Sequence, residues 1–400
     1  MATASAISPD ADRTRPRRTR ILLVACFAHA LHDGLTDTLY VLLPTLQTVF
    51  GINYAVIGVL RALYTGSMAG LQVPSAALAR RFGQVGMIAA GTAIAGLGYL
   101  CLGTSRGLVM LAVALVLGGI GSSTQHPIAS NLIAAAYEGR RSRDALGTYN
   151  FAGDLGKVAL PALAACLIAA ISWQATASIL GMGALAAAFT IALLFRGVPP
   201  LRTSGGHTAS LEETIGEPRG GFALLLAIGV IDSATRMSFL TLLPFLLKAK
   251  GAGISEIGVA LSLVFGGGAA GKLVCGFLGG RLGVIPTVLI TEGGTSATII
   301  ALLSLPMSAP LVLLLPVVGI ALNGTSSVLY GTVPELVTTD KREAAFASFY
   351  TATIGAGALS PILYGFFGDV LGLSTTTVVI AITVLATLPL AWRLKSCLPA

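Results

Sequence analysis

Charged side chains are scarce in this chain. Asp, Glu, Lys and Arg together make up 10% of its 400 residues, against about 25% in soluble globular proteins. That deficit excludes a soluble enzyme, a nucleic-acid-binding protein and a disordered polypeptide, all of which rely on abundant ionised surface. Aromatic residues reach only 6%. The cysteines, Cys26, Cys101, Cys166, Cys275 and Cys397, are scattered without a Cys-x-x-Cys pair. Neither a disulfide framework nor a zinc site is expected, and they read as small apolar helix residues. No Gly-x-x-x-x-Gly-Lys-Ser/Thr loop occurs, which excludes ATP as a driving force. A secretory leader is not expected either. Arg17-Arg18 and Leu23-Val24-Ala25-Cys26 imitate one, but only Ile21 to Ala25 separate Arg20 from the cysteine, too few for an apolar signal core.

Apolar residues and glycine are abundant instead. Hydrophobic side chains make up 54% of the chain, and 49 residues are glycine. The mean hydropathy is +0.85. Such a composition belongs to a polytopic membrane protein whose helices approach closely through small residues. A bilayer core of ~30 Å takes about 20 apolar residues per span, leaving room for roughly twelve spans. Charge placement then orients the chain. Arg61, Lys157, Arg236 and Lys272 fall inside apolar segments; Arg106, Lys248 and Lys250 lie in one set of connections. The remaining 18 of the 25 Lys and Arg lie in the two tails and the other connections. By the positive-inside rule both termini are expected in the cytoplasm, with 1–20 as a floppy tail and 396–400 as a short cytoplasmic end.

An ungapped shift of 200 residues superimposes the chain on itself. Leu42-Leu43-Pro44 meets Leu242-Leu243-Pro244, Ile57-Gly58-Val59 meets Ile257-Gly258-Val259, and Gly119-Ile120 meets Gly319-Ile320. Arg81 and Gly83 meet Arg281 and Gly283, and Pro161 meets Pro361. Pro, Gly and Arg holding register over such a distance mark a duplicated unit. Each copy reads as six helices: 21–48, 55–78, 86–104, 108–136, 145–171 and 174–195, then 221–247, 254–279, 284–304, 309–336, 345–370 and 374–393. The expected organisation is an N-terminal bundle over 21–195, a polar cytoplasmic linker over 196–220 and a C-terminal bundle over 221–395.

The connections after the second and eighth helices carry a recognisable pattern. They read Ala76-Ala77-Leu78-Ala79-Arg80-Arg81-Phe82-Gly83 and Gly276-Phe277-Leu278-Gly279-Gly280-Arg281-Leu282-Gly283. Both resemble the Gly-x-Leu-Ala-Asp-Arg-x-Gly signature of the major facilitator superfamily, with the acidic position held by Arg80 and Gly280. The resemblance extends over roughly 21–395. It implies an all-α membrane fold of twelve helices in two six-helix bundles, related as parallel repeats about an axis along the membrane normal. It also implies a monomer in a bacterial inner membrane. A narrower resemblance, to the fosmidomycin-resistance type of exporter, rests on Phe27 to Asp33, on Gly121 to Pro127 and on Asn150 to Gly156. It implies proton-driven export. The Gly-Pro-x-x-Gly-Gly ending of drug antiporters is absent, since Pro161 is followed by Ala162-Leu163-Ala164.

Ionisable groups inside the spans cost ~2.5–3.5 kcal/mol each on insertion scales, so each needs a partner or a wet cavity. His29, Asp33 and Asp37 recur at i, i+4 and i+8 on the first helix, with His32 beside them. Asn150, Asp154 and Lys157 form a stripe on the fifth helix, Asp232 and Arg236 another on the seventh, and His126 projects from the fourth. Arg61, Asn323 and Tyr330 complete the candidate lining. The resemblance places these elements around one central cavity. Asp33, Asp37 and His126 are the candidate proton carriers, with Asp33 or Asp37 expected to pair with Arg236 in one conformation only; the other named residues are candidate substrate contacts. Simpler readings stand beside these. Asp154 can pair with Lys157, Asp232 with Arg236 and Lys272 with Glu292; Arg61 can snorkel; His126 can bond a neighbouring carbonyl. The helix-one spacing would also allow two metal ligands on one face, but no resident metal or cofactor is expected. Arg81, Arg281, Arg143, Asp144 and Arg342 are candidate gate residues, or else topology anchors.

The expected function is secondary active transport: proton-coupled export of a small polar or zwitterionic compound by alternating access. The alternative on the same fold is proton-coupled import of a small metabolite or organic acid. The expected partners are that solute, protons and the lipid bilayer, with no nucleic acid. An enzyme is not expected, since no nucleophile–base set or metal-ligand cluster lies near an interface.

Overall fold

The computed structural model describes residues 9–137, 139–194, 220–338 and 341–398. Within them every regular element is helical. The first half contains α1 (Pro9–Phe50), α2 (Tyr54–Gly70), α3 (Gln72–Phe82) and α4 (Gln84–Gly103). It continues with α5 (Leu108–Ser122), α6 (Gln125–Ala136), α7 (Gly139–Ala170) and α8 (Trp173–Leu194). The second half contains α9 (Gly220–Ala249), α10 (Ile254–Leu282), α11 (Val284–Ser304) and α12 (Ala309–Leu336). It ends with α13 (Arg342–Leu371), α14 (Leu373–Leu385) and α15 (Thr387–Leu394). Most of the expected linker, residues 195–219, lies outside the described residues.

Three spans expected as single helices are interrupted, each shortly before a proline. Proline has no N–H to give to the carbonyl four residues earlier. Pro74 therefore cannot donate to the Gly70 carbonyl, and α2 meets α3 at a 44° bend. Pro127 likewise cannot donate to Ser123 between α5 and α6, nor Pro389 to Leu385 between α14 and α15. At the N-terminus helix begins at Pro9, so Pro9 to Arg20 continue the first span as helix rather than forming a floppy tail.

Ten helices among the described residues are long and apolar enough to cross a membrane, or eleven with the bent α2–α3 pair taken as one span. α1 is not among them, because His29, His32, Asp33 and Asp37 interrupt its apolar stretch. Counted as a span, it makes the arrangement consistent with twelve.

The repeat seen in the sequence is a repeat in space. α4 starts at Gln84 and α11 at Val284; α8 starts at Trp173 and α14 at Leu373. Gly83 and Gly283 turn the chain at φ of 90° and 85°, a region that suits glycine because it has no Cβ. The halves meet through two related contacts, α2 on α13 and α10 on α7. A Cβ on Gly58 would collide with the Pro361 carbonyl, and one on Gly258 with the Ala165 side chain. Bare backbone at both positions lets the paired helices touch.

The packing is uneven along the molecule. One large apolar cluster draws on both halves, from Leu35, Leu46 and Ile57 to Phe245, Ile257 and Tyr364. It lies toward the end remote from the chain termini. There, Lys248 Nζ donates to Thr48 Oγ1 at 2.8 Å and to the Pro44 carbonyl at 3.4 Å. The Asp369 carboxylate accepts from the N–H groups of Tyr54 and Ala55 at 2.8 and 2.9 Å, capping α2 from the opposite half. Toward the termini the core divides into two clusters, one built around Ile21, Ile133 and Tyr149 and one around Phe222, Val288 and Phe349. Each belongs to one half. The molecule is closed at one end and parted at the end that carries its termini.

Candidate functional site

Midway along α1 the expected polar stripe is real, and it divides in two. His29 and Asp33 face α6 and α7. The Nδ1 atom of His29 is 2.8 Å from the Tyr149 carbonyl, which can only accept, so Nδ1 carries a hydrogen. The ring stacks on Tyr149 with centroids 4.0 Å apart. Its buried Nε2 lies 3.3 Å from Asp33 Oδ2 without making a hydrogen bond there. Asp33 also meets His126 Nε2 at 3.5 Å and Lys157 Nζ at 3.1 Å. Close approach of α7 depends on Gly153, where a Cβ would stand 2.6 Å from His29 Cε1 and 2.9 Å from Asp33 Oδ2.

The network continues across the molecule. Lys157 Nζ is 4.0 Å from Asp154 Oδ1, and Lys272 Nζ, on α10 in the other half, donates to both Asp154 oxygens at 2.6 and 2.8 Å. Lys272 thus pairs with Asp154 and not with Glu292. The i, i+4 logic pointed to partners on the same or the next helix, whereas the α7–α10 contact brings a closer one. Lys272 is the site residue that sequence reasoning missed. Its signal was a lysine alone among apolar residues in its own span. The side chains of His126, Lys157 and Lys272 keep 41%, 31% and 43% exposure, against 10% and 11% for Asp33 and Asp154. The nitrogen-bearing side chains are thus more accessible than the carboxylates they meet.

Asp37 belongs to a second group. Arg61 is buried; its Nη2 is 3.8 Å from Asp37 Oδ1 and donates to Tyr40 Oη at 3.0 Å, while Nη1 donates to the Thr36 carbonyl at 3.2 Å. The guanidinium also sits 4.3 Å from the Tyr40 ring centre. Arg61 therefore neutralises a carboxylate rather than snorkelling. Tyr40 Oη donates to Met237 Sδ at 3.6 Å, so this group too touches the opposite half.

His32, adjacent in sequence, points elsewhere. Its Nε2 is 2.9 Å from Thr92 Oγ1 and its Nδ1 is 3.4 Å from Ser122 Oγ, which places it between α1, α4 and α5 and away from the Asp33 cluster. Asp232 and Arg236 lie 3.9 Å apart on α9, and Arg236 also donates to Ser326 Oγ at 3.5 Å. Arg236 meets neither Asp33 nor Asp37 in this conformation. Asn323 donates to the Gly319 carbonyl of its own helix at 3.2 Å. Tyr330 packs among Phe346, Phe349 and Tyr350, and Asn150 is exposed. Neither joins the cluster.

Of the candidate gate residues, Arg81 and Arg281 rest over Phe82 and Phe277 of their own connections, at 5.5 and 4.2 Å. Asp144 and Arg342 are exposed. No ion pair engages these four among the described residues, as expected where the halves are parted. The Arg143 side chain, Glu138 and Asp340 lie outside the described residues. All five cysteines are free.

His29, Asp33 and His126 could together reach one ion, since their ligand atoms lie within 4.8 Å of one another. The Lys157 ammonium engages Asp33 Oδ2, while Oδ1 faces His126.

Comparison with known proteins agrees with this architecture. The chain is 29% identical over 173 residues to the fosmidomycin resistance protein of Escherichia coli (strain K12), a match spanning 42% of each protein. The fold resembles crystal structures of a bacterial homologue of the human lysosomal transporter Spinster. In the inward-facing, unoccupied form of that protein the TM-score is 0.79 at 16% identity, covering 96% of this chain and 98% of the other. In its inward-facing, occupied form the TM-score is 0.78, again at 16% identity, covering 96% and 97%. The sequence profile of the Major Facilitator Superfamily matches residues 25–225 and 224–397. With two helical units related by an internal repeat and matched along almost their whole length, the chain is a multi-pass integral membrane protein and belongs to the Major Facilitator Superfamily.

Proposed function

We propose that the protein is a proton-coupled exporter of a small polar or zwitterionic solute, working by alternating access in a bacterial inner membrane with both termini cytoplasmic. It is a carrier rather than an enzyme. The observation that carries this reading is the His29–Asp33 contact. The Tyr149 carbonyl fixes one hydrogen of His29 on Nδ1, which leaves the buried, unpartnered Nε2, 3.3 Å from Asp33 Oδ2, as the atom that would take up a proton. A proton taken up there would turn the contact into an ion pair inside the membrane, where an unsatisfied charge is expensive.

The remaining parts supply the coupling. Asp33 is joined through Lys157 and Asp154 to Lys272 of the other half. Rocking of the bundles changes the α7–α10 contact, alters the charge facing Asp154, and passes that change along Lys157 to the proton site. In the parted conformation the molecule opens toward the cytoplasm, as charge placement orients the chain. The exposed His126, Lys157 and Lys272 favour a solute with an anionic group, such as a phosphonate or an organic acid. Likeness to a resistance protein supports export.

The test is transport by the purified protein in liposomes under an imposed pH gradient, with phosphonates, organic acids and chelators as solutes. The wild type is expected to accumulate one class when the gradient is applied, and vesicles of right-side-out and inverted orientation distinguish export from import. The Asp33→Asn variant is expected to lose gradient-driven transport by more than about tenfold, the equivalent of ~1.4 kcal/mol in driving force. Undiminished accumulation by that variant would remove the proton from this pair.

A further inference from the structure

The second half holds a buried acidic pair that the Asp33 network does not reach. Asp232 on α9 and Glu292 on α11 are 5% and 1% exposed, and their carboxyl groups are close enough to interact. The other charged group facing Asp232 is Arg236, at 3.9 Å. Two carboxylates and one guanidinium would leave a net negative charge in the membrane interior, which is costly.

Hydrogen-bond bookkeeping sharpens the point. Neither oxygen of Glu292 meets a donor among the described residues. The neighbouring hydroxyl is that of Thr325, whose proton is given to Thr291 Oγ1 at 2.6 Å. The Thr291 proton is committed in turn to its own helix, at 2.9 Å from the Thr287 carbonyl. Thr325 can therefore only accept on its remaining side. An ionised Glu292 would face an acceptor and a second carboxylate; a protonated one could donate to either.

The internal repeat says why this position is special. Shifted by 200 residues, Asp232 and Glu292 fall on His32 and Thr92, which form the 2.9 Å contact between α1 and α4. One half bridges the helix pair with an imidazole and a hydroxyl; the other does so with two carboxyl groups, which require a proton to bridge.

We infer that Asp232 and Glu292 hold one proton between them and form a second proton-binding site of the transporter, in the half opposite the His29–Asp33 site. The site titrates as a unit, with Arg236 neutralising the remaining charge. It would exist whether or not Asp33 carries the transported proton.

Infrared spectroscopy of the full-length protein in lipid, in the Asp33→Asn background, tests this at neutral pH. A carbonyl band of a protonated carboxylic acid is expected to remain there. It is expected to vanish when Glu292→Gln is added, and also when Asp232→Asn is added, because the surviving acid then ionises against Arg236. An amide resembles a protonated carboxyl group, so both added substitutions are expected to leave the thermal midpoint of the Asp33→Asn protein nearly unchanged. Absence of the band before Glu292 and Asp232 are altered would overturn the inference. So would its survival in both double variants, or loss of folding in both. Loss of transport by Asp33→Asn with the band intact would support the second site independently of the first.

Discussion

At the scale of single residues, the site depends on small and neutral atoms as much as on charged ones. The Tyr149 carbonyl fixes the tautomer of His29, and Gly153 makes room for the His29 ring and the Asp33 carboxylate. The ring is held by its hydrogen bond and by stacking, so it cannot swing aside to admit a methyl group. Gly153→Ala is accordingly expected to destabilise the protein by about 1–3 kcal/mol, the usual cost of overpacking. It should also lower transport more than the same change at Gly147, where a Cβ would meet nothing. Thermal unfolding in detergent and transport in liposomes, measured on both variants, check this.

At the scale of helices, two glycines related by the repeat hold the halves together. α2 lies against α13 at Gly58 and α10 against α7 at Gly258. The contact at Gly58 is with rigid backbone, whereas the one at Gly258 is with the Ala165 methyl group. A new methyl at Gly58 thus has less room to be accommodated. Gly58→Ala is expected to cost about 1–3 kcal/mol, and more than Gly258→Ala; equal effects, read by thermal unfolding, would contradict the asymmetry. The proline interruptions belong to this scale as well. The break before Gln125 lies immediately before His126, so the helix that supplies a ligand to Asp33 is free to adjust its direction there.

At the scale of the whole molecule, the closed end and the parted end predict opposite movements. Spin labels at Thr48 and Lys248 are expected to report a short, narrow distance, and labels at Arg81 and Arg281 a long one. When the carrier turns over, the first distance should lengthen and the second shorten. Electron paramagnetic resonance under changed pH and solute checks this; both distances moving in the same direction would argue against a rocking of two rigid bundles.

The sequence by itself determined the membrane class, the duplication and the helical plan, because apolar length and repeat register are one-dimensional properties. It also marked His29, Asp33, Asp37 and His126 as costly enough to need a purpose. Tertiary structure alone decided which charges meet. Residues 118 positions apart, Lys272 and Asp154, form a salt bridge between the halves, while His32, one residue from Asp33, faces another helix pair. Helical spacing fixes which side of its own helix a residue occupies; which helix faces that side is set by how glycine and proline let the bundles pack.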